Sequence, residues 1–314
     1  MLREGKGTEM TETGIQAAIR KRPSSRMARA ERRFAWTMLA PSLVVLLVVS
    51  TIPLIVLIGM SFYTIELTQA WKNGFAGVSN YVRMLNDGRF LSSLGVTAVY
   101  TTATVFLQVA IGLGLALALS GNFPGRNLLR TAILLPMILA PVVVGLSWRT
   151  LLLTPRYGLI DFLSEAIGLG SRSWLGDPSW ALTSVIVIHT WQWTPFAFLV
   201  FTAAIAALPT EPFEAARLDR ASPWQTFVHI TLPLLRPAIV IVVIFRSMIA
   251  LRAFAAIFAA TGGGPGSATE ILNLYAYRTS FTSFSLGYGA ALATTLLLVT
   301  VAISVVFFRV RQRA

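Results

Sequence analysis

Six apolar runs, at about residues 35–62, 95–120, 131–153, 181–207, 238–260 and 286–308, alternate with short polar connections along the chain. Each approaches or exceeds the roughly 20 residues a helix needs to cross a hydrocarbon core of about 30 Å. None contains Asp or Glu. The runs are continuous instead of alternating, so they predict helices and not barrel strands, because a helix pairs every backbone polar group within its own segment. The pattern predicts an all-α integral membrane protein. Six transmembrane helices occupy residues 34–314, and a polar, basic tail over residues 1–33 is expected to be disordered.

Composition supports the bilayer. Hydrophobic residues make up 55% of the 314 and charged residues only 12%, where an ordinary globular domain carries roughly 25% charged. The net charge of +13 raises nucleic acid as a partner, but the basic residues sit in end segments and short loops, with no aromatic-interleaved basic face. They set orientation instead. Of the 26 Lys and Arg residues, 17 fall in the two tails and in the connections after the second and fourth runs, 6 in the other connections, and Arg149, Arg246 and Arg252 within runs. The positive-inside rule then puts both termini in the cytoplasm. The first run is longer than the roughly 7–15 residues of a secretory h-region and no small-residue cleavage pattern follows it, so it reads as an uncleaved anchor.

Between the fourth and fifth runs lies a polar stretch, EAARLDRASPWQTFVHITLPLL, from Glu214 to Leu235. It predicts helix, turn, helix. Thr210 or Glu211 can cap the first helix, with Pro212 at an early position that needs no amide donor. Ser222, Pro223, Trp224 and Gln225 form a capping box for the second, after which Trp224, Phe227 and Val228 share a face. Ala215 and Ala216 allow close approach of another surface, and Glu214, Arg217 and Asp219 can set its register. A plain surface connection is the other reading of the same residues.

Candidate chemistry is sparse. The chain has no Cys and two His, which leaves no thiolate metal site, no triad and no acid/base pair, so no catalytic or metal-binding residues are assigned. Its three lysines, Lys6, Lys21 and Lys72, follow no phosphate-cradling glycine loop, so no ATP site of the Walker type is expected and no cofactor is assigned to the chain. The cluster Gly262 to Gly266 reads as a flexible turn. An ion-coupled secondary transporter generally holds Asp, Glu or His within its spans; only His189 qualifies, and it equally suits a hydrogen bond to a neighbouring helix. Two readings of a different class therefore stand beside active transport driven by a partner: an ion-coupled carrier and a non-transporting scaffold.

Arg246 and Arg252 fall in the fifth run with no acid in any run to neutralise them. A central arginine costs at least about 2.5 kcal/mol on insertion scales, so both are expected to face protein or water. They lie about 9 Å apart along a helix axis on different faces. A solute bearing phosphate or carboxylate, an acid from a second subunit, or snorkelling of Arg252 to the interface would each account for them. Trp191, Trp193 and Phe196 surround Pro195 in the fourth run, as a sugar-stacking wall or as bundle packing. Small residues in the second run (Ala110, Gly112, Gly114, Ala116, Ala118) and sixth run (Gly287, Gly289, Ala290, Ala293) suit close helix packing.

The stretch from Glu214 resembles the cytoplasmic EAA loop of permease subunits of binding-protein-dependent ABC importers, whose pattern is EAA, then D-G-A, then an I-x-LP ending. The resemblance runs from about residue 35 to 310 and is closest to the sugar and glycerol-phosphate branch. FAGVSNYVRMLNDGRF (75–90) is similar to that branch's first periplasmic segment, LLRTAILLPMILAPVVVGLSWRTLL (128–152) to its third span, and WLGDPSWAL (174–182) and TGGGPGSATEILNLYAYRTSF (261–281) to its later external connections. The resemblance implies a multi-pass protein of the bacterial inner membrane that imports a carbohydrate or related polyol by alternating access. It implies as partners ATPase subunits that use the ATP, a second permease and an external solute-binding protein. It further implies that Glu214, Ala215, Ala216, Arg217, Asp219, Arg220 and Ala221 form the ATPase-coupling helix, while Arg246, Arg252, Trp191 and Trp193 are the candidates for the substrate path. One position departs from the pattern: Arg220 stands where the family usually has glycine. Either the turn is built without a left-handed residue, or Arg220 makes a compensating contact.

Overall fold

The computed structural model describes residues 25–168 and 170–313. It divides into two units, one ending at Val56 and one beginning at Leu57. The first holds most of α1 (Ser25–Met60). Its helix starts inside the expected tail, because the residues from Ser25 to Arg33 include the good helix formers Met, Ala, Arg and Glu. The rest of that tail lies outside the described residues.

The second unit opens with a two-stranded antiparallel ribbon, β1 (Tyr63–Thr64) and β2 (Gly74–Phe75), with Tyr63 opposite Phe75. Helices follow: α2 (Ser79–Leu85), α3 (Gly88–Ala118), α4 (Arg126–Ile138), α5 (Pro141–Leu152), α6 (Leu159–Ala166), α7 (Pro178–Ala206), α8 (Glu211–Leu218), α9 (Pro223–Leu251), α10 (Ala255–Ala260), α11 (Leu272–Phe281) and α12 (Leu286–Arg313). Among the described residues five helices are long and apolar enough to cross a membrane, and the α4–α5 pair makes up to a sixth.

Two of the six apolar runs are not single straight rods. In the third, α4 and α5 meet at 98°. Ala140 precedes Pro141, and the ring of a following proline excludes the helical region for it; Leu139 and Ala140 are accordingly extended, at ψ 138° and 135°. The fifth run belongs to a helix that begins earlier, at Pro223, and stops at Leu251. Arg252 to Phe254 break it before α10 resumes, so Arg252 caps a helix instead of sitting within a span.

The core lies where α3, α7 and α9 meet, with Leu113, Ala116, Ala197, Phe198, Leu235 and Val242 buried together. The small residue at 112 permits this, since a Cβ there would lie 2.6 Å from the Ala197 Cβ. Polar ties hold the connections. Glu270, fully buried, accepts from Arg89 Nε at 2.6 Å and Arg278 Nη1 at 2.8 Å, which joins α3 to α11. Asp87 accepts from the hydroxyls of Tyr275 at 2.5 Å and Tyr288 at 2.6 Å. Burial and that bond to Asp87 push the Tyr275 hydroxyl up to about 12.

Asp161 on α6 organises the connection between α5 and α7. Its carboxylate accepts from the Arg156 and Arg172 amides at 2.6 and 2.9 Å, the Ser171 hydroxyl at 2.5 Å and Trp174 Nε1 at 2.8 Å. The loop wrapped around it, not depth in the protein, keeps solvent away. Burial opposes its ionisation, but the hydrogen bonds outweigh burial and hold the carboxyl well below the usual carboxylate range. With its folded pKa depressed, Asp161 contributes stability that is fully present above the unfolded value of about 3.9 and is lost only as pH falls through the folded value. Amide protection over residues 156–174, corrected for intrinsic exchange, is therefore expected to be the same at pH 5 as at pH 7. Asp161→Ala should lower it at least about tenfold at both, as read by hydrogen exchange.

Candidate functional site

Two features of the bundle are built for more than packing: the exposed segment around α8, and a buried arginine where three helices cross.

Thr210 precedes α8 without a side-chain cap, and Pro212 sits in the first turn, where no amide donor is missed. Glu211 and Glu214 fall in the first turn and Arg217 in the last, so the charges complement the helix dipole. The helix starts three residues before Glu214 and ends at Leu218, so Asp219, Arg220 and Ala221 form the turn that follows. There the Ala221 amide donates to the Ala216 carbonyl at 2.9 Å and the Arg220 amide to the Arg217 carbonyl at 3.1 Å. These are the paired bonds of a Schellman motif, whose key residue is left-handed. Arg220 takes that role at φ 52°, so the turn does contain a left-handed residue. Among the described residues no hydrogen bond or ion pair from its guanidinium offsets the strain. Ala216 is buried beneath the turn, while Glu214, Ala215, Arg217, Asp219 and Arg220 are exposed. Leu218 and Trp224 are the exposed apolar residues here, at 85% and 71%.

The capping box at the start of α9 is complete: the Ser222 amide donates to Gln225 Oε1 at 2.8 Å and the Gln225 amide to Ser222 Oγ at 3.3 Å. A widened turn over Phe227–Thr231 comes one turn ahead of Pro233, whose ring does not fit behind regular helical pitch. α9 then continues unbroken to Leu251.

Arg246 on α9 is fully buried. Its Nε donates to Gln108 Oε1 at 2.7 Å, Nη2 faces His189 Nε2 at 3.4 Å, and the guanidinium lies 4.7 Å from the centre of the Trp193 ring. Gln108 Nε2 in turn donates to the His189 carbonyl at 3.2 Å. Tyr100 stacks on His189 and its hydroxyl bonds Nδ1. Three helices thus share one polar joint: Tyr100 and Gln108 from α3, His189 and Trp193 from α7, Arg246 from α9. Arginine can only donate, so Nε2 accepts and we assign the ring proton to Nδ1. A histidine held in this way is neutral and locked, which is the wrong arrangement for a proton carrier.

Of the four residues expected on a substrate path, Arg246 and Trp193 come together in this joint, whereas Trp191 and Arg252 lie elsewhere. Trp191 is partly exposed with its ring 5.5 Å from Trp148. Arg252 is exposed at the end of α9, its Nε bonded to the Met248 carbonyl of its own helix at 3.3 Å. Sequence reasoning missed Gln108 and Tyr100. It also missed two amides that serve the helix breaks: Gln192 donates to the Leu139 carbonyl at 3.1 Å, and Asn273 to the Arg252 carbonyl at 3.3 Å. A polar amide inside an apolar run is the signal that marks Gln108 and Gln192.

The geometry is that of an integral membrane helix bundle with an exposed, charged helix ahead of α9. Residues 108–313 match the family described as binding-protein-dependent transport system inner membrane component, and the chain belongs to that family. It is 31% identical over 287 residues to the trehalose/maltose transport system permease protein MalF of Thermococcus litoralis, covering 91% of this chain and 96% of the relative. It is also 31% identical over 280 residues to the sulfoquinovosyl glycerol transport system permease protein SmoG of Agrobacterium fabrum, covering 89% and 91%. A solved bacterial ABC transporter involved in import of the acidic polysaccharide alginate shares the fold, with a TM-score of 0.79 at 22% identity over 92% of this chain and 99% of the other.

Two outcomes follow from the geometry. Arg220→Gly removes a left-handed strain of about 1 kcal/mol or more, so it should raise thermal stability while leaving function intact. Gln108→Leu strips the buried cation of its short bond and should destabilise the purified protein by about 3 kcal/mol. Adding Arg246→Met to it should recover part of that loss, with a coupling of about 1 kcal/mol or more in a double-mutant cycle read by thermal unfolding.

Proposed function

We propose that this chain is the permease subunit of an ATP-driven importer for a carbohydrate or related polyol, working by alternating access. α8 is its coupling helix, seated in a cleft of a separate ATPase subunit. That partner binds and hydrolyses the ATP; the chain itself holds no ATP site, cofactor or metal. A second permease completes the path and an external solute-binding protein delivers the solute. Both termini and α8 lie in the cytoplasm, the basic N-terminal tail fixing that orientation over residues 1–33, and the α5–α7 and α10–α11 connections lie outside.

The single observation that carries this reading is α8 itself. It is a short, charged, exposed helix, tied by a tight turn to a capped helix that runs unbroken into the bundle. Relatives whose names specify trehalose/maltose and sulfoquinovosyl glycerol transport support the sugar class. Closure of the ATPase dimer pulls α8, tilts α9, and carries the tilt through the Arg246 joint to α3 and α7, a rigid-body shift of packed helices. Arg252 and Trp191, both exposed, remain the candidates for contact with the solute, while Arg246 and Trp193, held in the buried joint, brace the bundle. A locked His189 argues against an ion-coupled carrier.

The full importer in proteoliposomes tests this. Uptake and ATP hydrolysis should persist when ionophores collapse the proton and sodium gradients, and Glu214→Ala should cut ATP hydrolysis at least about tenfold by weakening the coupling contact. Failure to copurify with an ATPase, or uptake that follows an ion gradient, would contradict the reading.

A further inference from the structure

The loop locked by Asp161 shapes one wall of a cavity of about 320 Å³, lined by Arg149, Thr154, Ser173, Gly176, Ala260 and Thr261. It lies where the end of α5 meets the end of α10. The two helices are in close contact about one turn earlier, since a Cβ on Gly145 would fall 2.5 Å from the Ala256 carbonyl oxygen. Arg149 is in the last turn of α5 and its side chain is exposed. An arginine at a helix end often caps the last carbonyls. Here no hydrogen bond runs from its guanidinium to those carbonyls among the described residues, and the Thr154 hydroxyl takes the carbonyls of Arg149 at 2.8 Å and Thr150 at 2.9 Å.

Nor does an acid neutralise Arg149. The two ion pairs among the described residues both involve Glu270. Asp161, the buried acid of the same loop, has both oxygens filled by four donors. The guanidinium therefore stands unpaired in a cavity with hydroxyl groups and a preorganised wall. A cleft lined by one sign of charge concentrates the opposite charge, and a planar guanidinium matches a carboxylate, phosphate or sulfonate with two parallel hydrogen bonds.

We propose that this cavity binds the acidic group of the solute at the outer mouth of the permease, so that the carbohydrate it transports is anionic. Arg149 grips the oxyanion and the Ser173 hydroxyl donates beside it. The inference rests on the importer reading and narrows its substrate class.

Saturation-transfer NMR on the purified, assembled importer, with glucuronate and glucose as probes, decides it. Glucuronate should bind, glucose should not bind at the same concentration, and Arg149→Gln should weaken glucuronate about tenfold or more while Arg149→Lys keeps part of the affinity. Ser173→Ala should weaken it to a smaller degree. Equal binding of the two sugars, or glucuronate binding that Arg149→Gln leaves intact, would overturn the proposal. So would loss of the second permease from the Arg149→Gln complex, which would assign the cavity to an acid of that partner. Absence of any ATPase from the purified complex would instead sink the importer reading itself.

Discussion

Hydrocarbon offers no hydrogen bonds, so every interrupted backbone and every charge at membrane depth must find its partner inside the bundle. This chain meets the constraint at three points with side chains from other helices. The carbonyl freed where α4 bends into α5 is taken by Gln192 of α7, and the one freed at the end of α9 is taken by Asn273 of α11. The cation that α9 carries into the core is taken by Gln108 of α3 and His189 of α7. Each tie crosses between helices, so none of these elements moves without involving a neighbour.

That cross-bracing gives the proposed coupling role of α8 its mechanical sense. α8 is exposed and bears alternating charge, its last turn is closed by a Schellman motif, and a complete capping box begins α9 two residues later. Little slack remains between the exposed helix and the bundle core. On the proposed reading, a push on α8 would reach α9 as a tilt, and the Arg246 joint would spread it to α3 and α7. Packed interfaces of this kind are bistable and not continuously deformable, which suits a switch between two accessible states.

Much of this was legible in the sequence, and the exceptions have physical reasons. Apolar runs free of Asp and Glu gave the bundle, because lipid imposes composition on every residue of a span. The capping box at Ser222 to Gln225 was readable because it is a local, four-residue device. The bend at Pro141 was not legible, and the run reads as one span: proline sets only its neighbour's dihedrals, and packing decides that the next helix turns through 98°. The break at Arg252 has no local marker at all. Arg246 could be flagged as a cation without an acid, yet its true partners, Gln108 and His189, are 138 and 57 residues away. Arg220 was recognised as standing in a glycine position, but both alternatives it posed fail: the residue is left-handed, and among the described residues no bond from its guanidinium compensates.

The central claim is that force enters this bundle through α8 from a nucleotide-hydrolysing neighbour on the cytoplasmic side. Because the chain has no native cysteine, a single cysteine placed at Leu218 reports on that surface without background. In intact cells a membrane-impermeant maleimide should leave it unlabelled, and a short bifunctional crosslinker in membranes should join it to an ATPase subunit. Labelling from outside the cell, or no adduct with any nucleotide-hydrolysing protein, would contradict the account.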